Sequence, residues 1–188
     1  MGTASVASIF AQRVIVGVGD MAISNHPHFV VSTYALGSCV AVVAYHAPLQ
    51  VGGILHLMLP EAQISPAKAA VQPAMFADTG LPYFFRELGS FNVRPQAARL
   101  FLAGGASVMS GVDPFRIGDR NRAATLAYLT GLGLHPVGED LGGVINRTLH
   151  LDISTGLLTV KTPLGRREFP LAGPERLSAQ FRRIGADH

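Results

Sequence analysis

The chain contains little cysteine, few charged residues and few aromatic side chains. Its 188 residues include one Cys and no Trp, and aromatic and charged residues make up 7% and 14% of the total. A single cysteine excludes an internal disulfide. The low charge and the 48% apolar content argue against disorder over most of the chain. The formal net charge of +3 comes from scattered arginines without a basic stripe, so nucleic acid is not a predicted partner.

Long apolar runs are also missing. No run approaches the roughly 18 residues that a membrane-spanning helix needs. The opening MGTASVASIFAQRVIV lacks the positively charged start and the apolar stretch of a secretion signal. We therefore predict a soluble cytoplasmic protein without membrane insertion. Its length favours one domain with a single large core.

The hydrophobic pattern predicts a mixture of strands and helices in which strands often follow one another directly. Such an order favours an α+β fold over a doubly wound parallel sheet. The stretch 61–74, rich in small residues and proline, is predicted to be a mobile surface loop. Asp119 is the predicted N-cap of the second helix. The predicted strands are 13–18, 28–36, 39–46, 52–59, 98–106, 134–140, 144–152 and 157–162, and the predicted helices are 75–91, 118–133 and 174–184.

Several short motifs have a structural explanation that is simpler than a chemical one. GVGDMA at 17–22 follows a strand and fits a dinucleotide-binding pattern, but Pro27 would end the required helix within about two turns, so we expect a glycine turn. His26 and His28 have no further metal-ligating residues nearby, which favours a surface turn over a metal site. Nucleophile-elbow, P-loop and zinc-tetrad patterns are absent from the sequence.

The sole cysteine, Cys39, is either a small buried hydrophobe or a nucleophile. It follows a turn at Gly37 and Ser38, where backbone amides could stabilise a thiolate or an oxyanion. His56 interrupts the apolar run 54–59 on a predicted neighbouring strand. As a base it would accept the thiol proton, and it would lower the thiol pKa. A third group must orient the imidazole, and the sequence leaves four candidates open: Thr33, Ser32, Asp78 and the region of Asp140.

The order of these residues resembles the CheD family of chemoreceptor glutamine deamidases. The resemblance begins with Thr33, five residues and Cys39, within which Leu-Gly-Ser-Cys-Val stands at 36–40. It continues with Gly-Gly-x2-His-x-Met-Leu-Pro at 52–60, and later matches occur in the same order along the chain. These are FLAGGASVM at 101–109, IGDRN at 117–121 and EDLGGVINRTLHLDISTGLLTVK at 139–161.

The resemblance implies a site, a reaction and a fold. Cys39 would be the nucleophile, His56 the general base and Thr33 the residue that orients it, with oxyanion or substrate-groove contacts near Ser38 and Gly37. The implied reaction converts glutamines of methyl-accepting chemotaxis receptors to glutamate and releases ammonia, without cofactor or metal. The implied fold has packed mixed or antiparallel β-sheets flanked by helices, resembling the catalytic domain of deamidating toxins. Residues 1–170 would form the deamidase domain and 171–188 a C-terminal extension or short helix.

The sequence leaves two other functions open. Some members of the family act as binding modules for the chemotaxis phosphatase CheC, in which case Cys39 would be incidental. The chain could also be a cysteine amidohydrolase acting on a protein other than a receptor.

Overall fold

A computed structural model describes residues 12–107 and 114–173, which form two β-sheets and three α-helices. None of the helices in these residues is long and apolar enough to cross a membrane. The strands are β1 Gln12–Val16, β2 Asp20–Ser24, β3 Phe29–Leu36, β4 Val40–His46, β5 Val51–Leu57, β6 Arg99–Gly104, β7 Gly138–Leu141, β8 Arg147–Asp152, β9 Leu157–Thr162 and β10 Gly165–Pro170. The helices are α1 Pro66–Val71, α2 Ala77–Ser90 and α3 Ile117–Gly131.

Both sheets are mixed. The first sheet, sheet A, has the strand order β1-β3-β8-β9-β10, with β1 and β3 parallel and the other pairs antiparallel. The second, sheet B, has the order β2-β5-β4-β6-β7, with only β6 and β7 parallel among its pairs. The prediction of an α+β fold with packed mixed sheets flanked by helices is therefore confirmed.

Sheet B is the middle layer of the molecule. One of its faces packs on sheet A through a cluster that includes Val43, Ile54 and Leu151. Its other face packs on the helices through a cluster that includes Leu55 and Phe84. This position explains the apolar run at the start of β4, VAVVAYH, because a central strand covered on both faces buries the side chains of Val40 to Tyr45 and leaves only His46 half-buried.

The side chains of strand β5 alternate between its two faces, as period two requires of a strand. Ile54 belongs to the cluster between the two sheets, whereas Leu55 and Leu57 belong to the cluster beneath the helices. By period-two alternation, His56 points to the same side as Ile54, toward sheet A. The strand therefore carries a polar side chain into the space between the sheets.

Several local predictions differ from the structure. The glycine turn at Gly19 is confirmed, but strand β2 follows it where no strand was predicted. The segment 61–74 contains α1 and short 3-10 turns instead of an irregular loop. Helix α3 begins at Ile117, so Asp119 lies in its first turn, where its carboxylate pairs with two arginines, and the N-cap is Arg116. Strand β10 was not predicted, and the predicted helix 174–184 lies outside the described residues.

Candidate active site

The structure joins Thr33 and His56 across the gap between the sheets. Thr33 lies on β3 of sheet A and His56 on β5 of sheet B, and both side chains are buried. Thr33 Oγ1 is 2.7 Å from His56 Nδ1 and 2.8 Å from the carbonyl oxygen of Val16. Of the four candidates for the orienting group, Thr33 is therefore the one that contacts His56.

These contacts assign the proton on the imidazole. The carbonyl of Val16 can only accept a hydrogen bond, so the single hydroxyl proton of Thr33 is donated to it. Thr33 Oγ1 then accepts from His56, which places the imidazole proton on Nδ1. Nε2 carries the lone pair, and it is buried without a hydrogen-bond partner in the described part of the chain. A neutral imidazole in this tautomer can accept a proton at Nε2.

The strand register places Cys39 diagonally across from His56. In the antiparallel β4–β5 pair His56 is opposite Ala41, and Cys39 precedes Ala41 by two residues on the same face. Diagonal neighbours of this kind are roughly 7–8 Å apart at the backbone, a distance that a histidine side chain can bridge. Cys39 is a free, partly buried thiol and packs against the cluster between the sheets.

Burial favours the uncharged form of both groups. Loss of solvent raises the pKa of the Cys39 thiol, and a hydrogen bond from its own backbone N–H lowers that pKa by a smaller amount. Burial also lowers the pKa of His56 to about 4. The expectation that His56 lowers the thiol pKa is therefore wrong for the resting protein, because both charged forms lose their hydration between the sheets. The arrangement is a neutral thiol next to a neutral base.

The loop that presents Cys39 is clamped by the end of strand β6. Gly105 N–H donates to the carbonyl of Cys39 at 2.7 Å, and Ala106 N–H donates to the carbonyl of Gly37 at 2.8 Å. Gly104, with φ +100°, passes so close that a Cβ there would lie 2.2 Å from the Cys39 carbonyl oxygen. The glycine pair at the end of β6 thus holds the thiol loop by close backbone approach, which only glycine allows.

A β-bulge directs strand β3 into this loop. The β3–β8 register shifts between Thr33 and Leu36, and Ala35 within the shift adopts φ 53°. Bulges bend the strand that carries them. Strand β3 therefore bends between Thr33 and Leu36, just before it leads into Gly37 and the thiol loop.

The remaining orienting candidates have other partners. Ser32, adjacent to Thr33, points to the opposite face of β3, and its Oγ is 2.8 Å from Nδ1 of the buried His150. The Asp78 carboxylate accepts the backbone N–H of Ala62. The Asp140 carboxylate pairs with Arg147 and with Arg167. None of these three side chains forms a hydrogen bond with His56 among the described residues.

The two surface histidines, His26 and His28, contact each other and a neighbouring aromatic ring. The ring of His26 stacks on Phe29 at 4.6 Å, and its Nδ1 accepts the backbone N–H of His28 at 3.4 Å. Among residues 12–107 and 114–173, no three His, Cys, Asp or Glu side chains come together in a way that could hold a metal ion.

The sequence reasoning did not identify Asn121 as part of the site. This fully buried residue near the start of α3 donates from Nδ2 to the carbonyls of Ser38, at 3.0 Å, and Met58, at 2.8 Å. It thereby connects the residue before Cys39 with the residue two positions after His56. The available signal was the motif IGDRN, in which a polar residue with low helix propensity lies inside a helix.

Comparisons with known proteins identify similar chains. The model of the family described as "CheD chemotactic sensory transduction" matches residues 58–162. A probable chemoreceptor glutamine deamidase CheD of Syntrophotalea carbinolica is 41% identical over 159 residues, which is 84% of this chain and 98% of the relative. Another, CheD 2 of Anaeromyxobacter dehalogenans, is 41% identical over 79% of this chain and 94% of the relative. One from Pyrococcus abyssi is 38% identical over 82% of this chain and 94% of the relative.

Proposed function

Because the chain belongs to the CheD family, we propose that it is a chemoreceptor glutamine deamidase with Cys39 as its nucleophile. The substrates are glutamine side chains in the cytoplasmic part of methyl-accepting chemotaxis receptors. The observation that carries the proposal is the buried Thr33–His56 hydrogen bond, which leaves an unprotonated Nε2 beside the thiol. The domain that carries this activity spans residues 1–170.

The first half of the reaction forms a thioester. His56 Nε2 accepts the Cys39 thiol proton as Sγ attacks the amide carbon of the substrate glutamine, so that an S–C bond forms and the carbonyl oxygen becomes an oxyanion. His56 then donates the proton to the leaving nitrogen. The C–N bond breaks and ammonia departs, leaving a γ-glutamyl thioester on Cys39.

The second half regenerates the enzyme. His56 removes a proton from a water molecule, which attacks the thioester carbon, and the S–C bond breaks. The substrate residue leaves as glutamate and the thiol recovers its proton. Thr33 Oγ1 accepts a hydrogen bond from Nδ1–H throughout, so the same nitrogen, Nε2, accepts and donates the transferred proton in both halves.

The neutral resting pair suits this cycle. Since the pKa of His56 is lowered to about 4, the imidazole is available as a base at neutral pH. The thiol loses its proton to His56 as it attacks, because burial favours the uncharged thiol before the reaction. The oxyanion of the intermediate is bound by backbone N–H groups near Ser38 and Cys39. The carbonyls of this loop have other partners, since Asn121 donates a hydrogen bond to that of Ser38 and Ala106 donates one to that of Gly37.

The surface next to the thiol fits a protein substrate. Met58 follows β5 at the position opposite Cys39, and its side chain is 41% exposed. A flexible apolar side chain there can contact the receptor segment that carries the glutamine.

Mass spectrometry of receptor cytoplasmic fragments tests the function. The fragments come from the organism that encodes the chain and are incubated with the wild type, Cys39→Ala, His56→Asn or His150→Asn. The last is a matched control, because His150 is also buried and bonded through Nδ1 to a hydroxyl, but on the outer face of sheet A.

We expect Gln-to-Glu conversion by the wild type and by His150→Asn, and none by Cys39→Ala. His56→Asn should lose most of the rate. Conversion by folded Cys39→Ala would refute the nucleophile. No conversion by the wild type, together with a tight CheC-type complex that Cys39→Ala forms equally well, would instead favour the binding module.

A further inference from the structure

Asn121 uses both protons of its side-chain amide on the two segments that carry the thiol and the imidazole. Nδ2 donates to the carbonyl of Ser38 and to that of Met58. Asn121 is fully buried. Its Oδ1 is also buried and has no hydrogen-bond partner in the described residues. An unpaired buried acceptor is destabilising. The stability of α3 alone therefore does not explain why an asparagine occupies this position.

The contact with Ser38 sets the direction of the peptide that precedes the nucleophile. In a trans peptide the C=O and the following N–H point in opposite directions. With the Ser38 carbonyl held toward α3, the N–H of Cys39 points away from the helix. This is the side of the thiol, since α3 packs on the helix-covered face of sheet B whereas Cys39 packs against the cluster between the sheets. No hydrogen bond from the Cys39 N–H to another residue occurs among residues 12–107 and 114–173.

We propose that Asn121 is a positioning residue, which by holding the Ser38 carbonyl aims the Cys39 N–H at the oxyanion of the tetrahedral intermediate. The inference rests on the proposed deamidase function and deepens it. Removing the two hydrogen bonds would let the Ser38–Cys39 peptide rotate. The donor would then no longer face the developing charge, although the thiol and His56 would still be adjacent.

The test separates acyl transfer from simple thiol reactivity. Asn121→Asp keeps the shape but replaces the donating NH2 with an acceptor that faces two carbonyl oxygens. Asn121→Ser is a second variant, whose short hydroxyl cannot bridge both carbonyls. Thr125→Val is the matched control: Thr125 lies one turn further along α3, is fully buried, and its Oγ1 has no partner in the described residues.

Each protein is assayed for kcat and KM on a receptor fragment, for the rate of Cys39 alkylation by iodoacetamide, and for Tm. Alkylation requires the thiol but forms no oxyanion. We expect the Asn121 variants to lower kcat by roughly 10²–10³-fold, the effect of losing one oxyanion donor. KM and the alkylation rate should change little, and Thr125→Val should match the wild type.

The outcomes distinguish this inference from the proposed function. An unchanged kcat in either folded Asn121 variant would overturn it, as would equal losses of kcat and alkylation, which indicate a general disturbance of the site. If both variants fail to fold while Thr125→Val folds, the amide serves stability and the inference is also wrong. A wild type that deamidates no receptor fragment would overturn the proposed function itself.

Discussion

Replacing Thr33 with valine tests how the imidazole is oriented. Valine keeps the shape of the side chain but removes the only acceptor that His56 Nδ1–H has in the described structure. Thr33 is 0% exposed and His56 1% exposed, so water cannot readily take over. A buried donor left without a partner costs about 1–3 kcal/mol.

The imidazole can avoid that cost by moving its proton to Nε2, but it then cannot accept the thiol proton. Because about 1.4 kcal/mol corresponds to a factor of ten in rate, Thr33→Val should lower kcat roughly 10–100-fold. The assay is the initial rate of ammonia release from a saturating receptor fragment. Thr33→Ser retains the hydroxyl and should stay close to the wild-type rate.

The neighbouring residue supplies a matched control. Ser32 bonds to His150 at 2.8 Å, as Thr33 bonds to His56 at 2.7 Å, but on the outer face of sheet A. Ser32→Ala should therefore reduce stability by a similar amount and leave kcat unchanged. Equal losses of kcat in Thr33→Val and Ser32→Ala, or full activity in Thr33→Val, would refute the assigned role of the hydroxyl.

Two further predictions concern stability. Burial lowers the pKa of both His56 and His150 to about 4 from an ordinary value of 6.5, so the unfolded chain binds more protons between these values. The contribution of the two histidines to the free energy of unfolding is complete above pH 6.5 and is lost as the pH falls toward 4. For His56 this loss between pH 7 and 4.5 is about 2 kcal/mol. Urea unfolding at both pH values should show a smaller loss in His56→Asn, and an identical loss would contradict the shift. Gly104→Ala should cost about 1–3 kcal/mol and most of the activity, because its Cβ would collide with the Cys39 carbonyl. Gly89 lies in α2 with open space around it, so Gly89→Ala should raise Tm slightly. An equal Tm for the Gly104→Ala and Gly89→Ala variants would argue against close contact between Gly104 and the Cys39 carbonyl.

Much of the architecture was predictable because strands and helices leave periodic patterns. The apolar run 40–44 predicted a strand, which the structure buries on both faces, and period-two alternation along the predicted strand 52–59 puts His56 and Leu55 on opposite sides. Strand β2 was missed because DMAIS, the sequence of an exposed to half-buried strand, has no strong alternation. The start of α3 was misplaced because Asp119, a favourable N-cap residue, instead pairs with arginines inside the first turn.

The sequence alone was sufficient to single out Cys39 and His56, since each is an isolated reactive side chain in an apolar strand region, and the ordered resemblance suggested Thr33. It could not choose between Thr33 and Ser32 on chemical grounds. These neighbours carry the same hydroxyl, and only the packing of sheet A on sheet B decides which one points inward to His56 and which one meets His150. The neutral state of the thiol and imidazole likewise depends on how much water the assembled sheets exclude. Asn121 reaches the site from a helix more than 60 residues away along the chain, and such a contact exists only once the tertiary structure has formed.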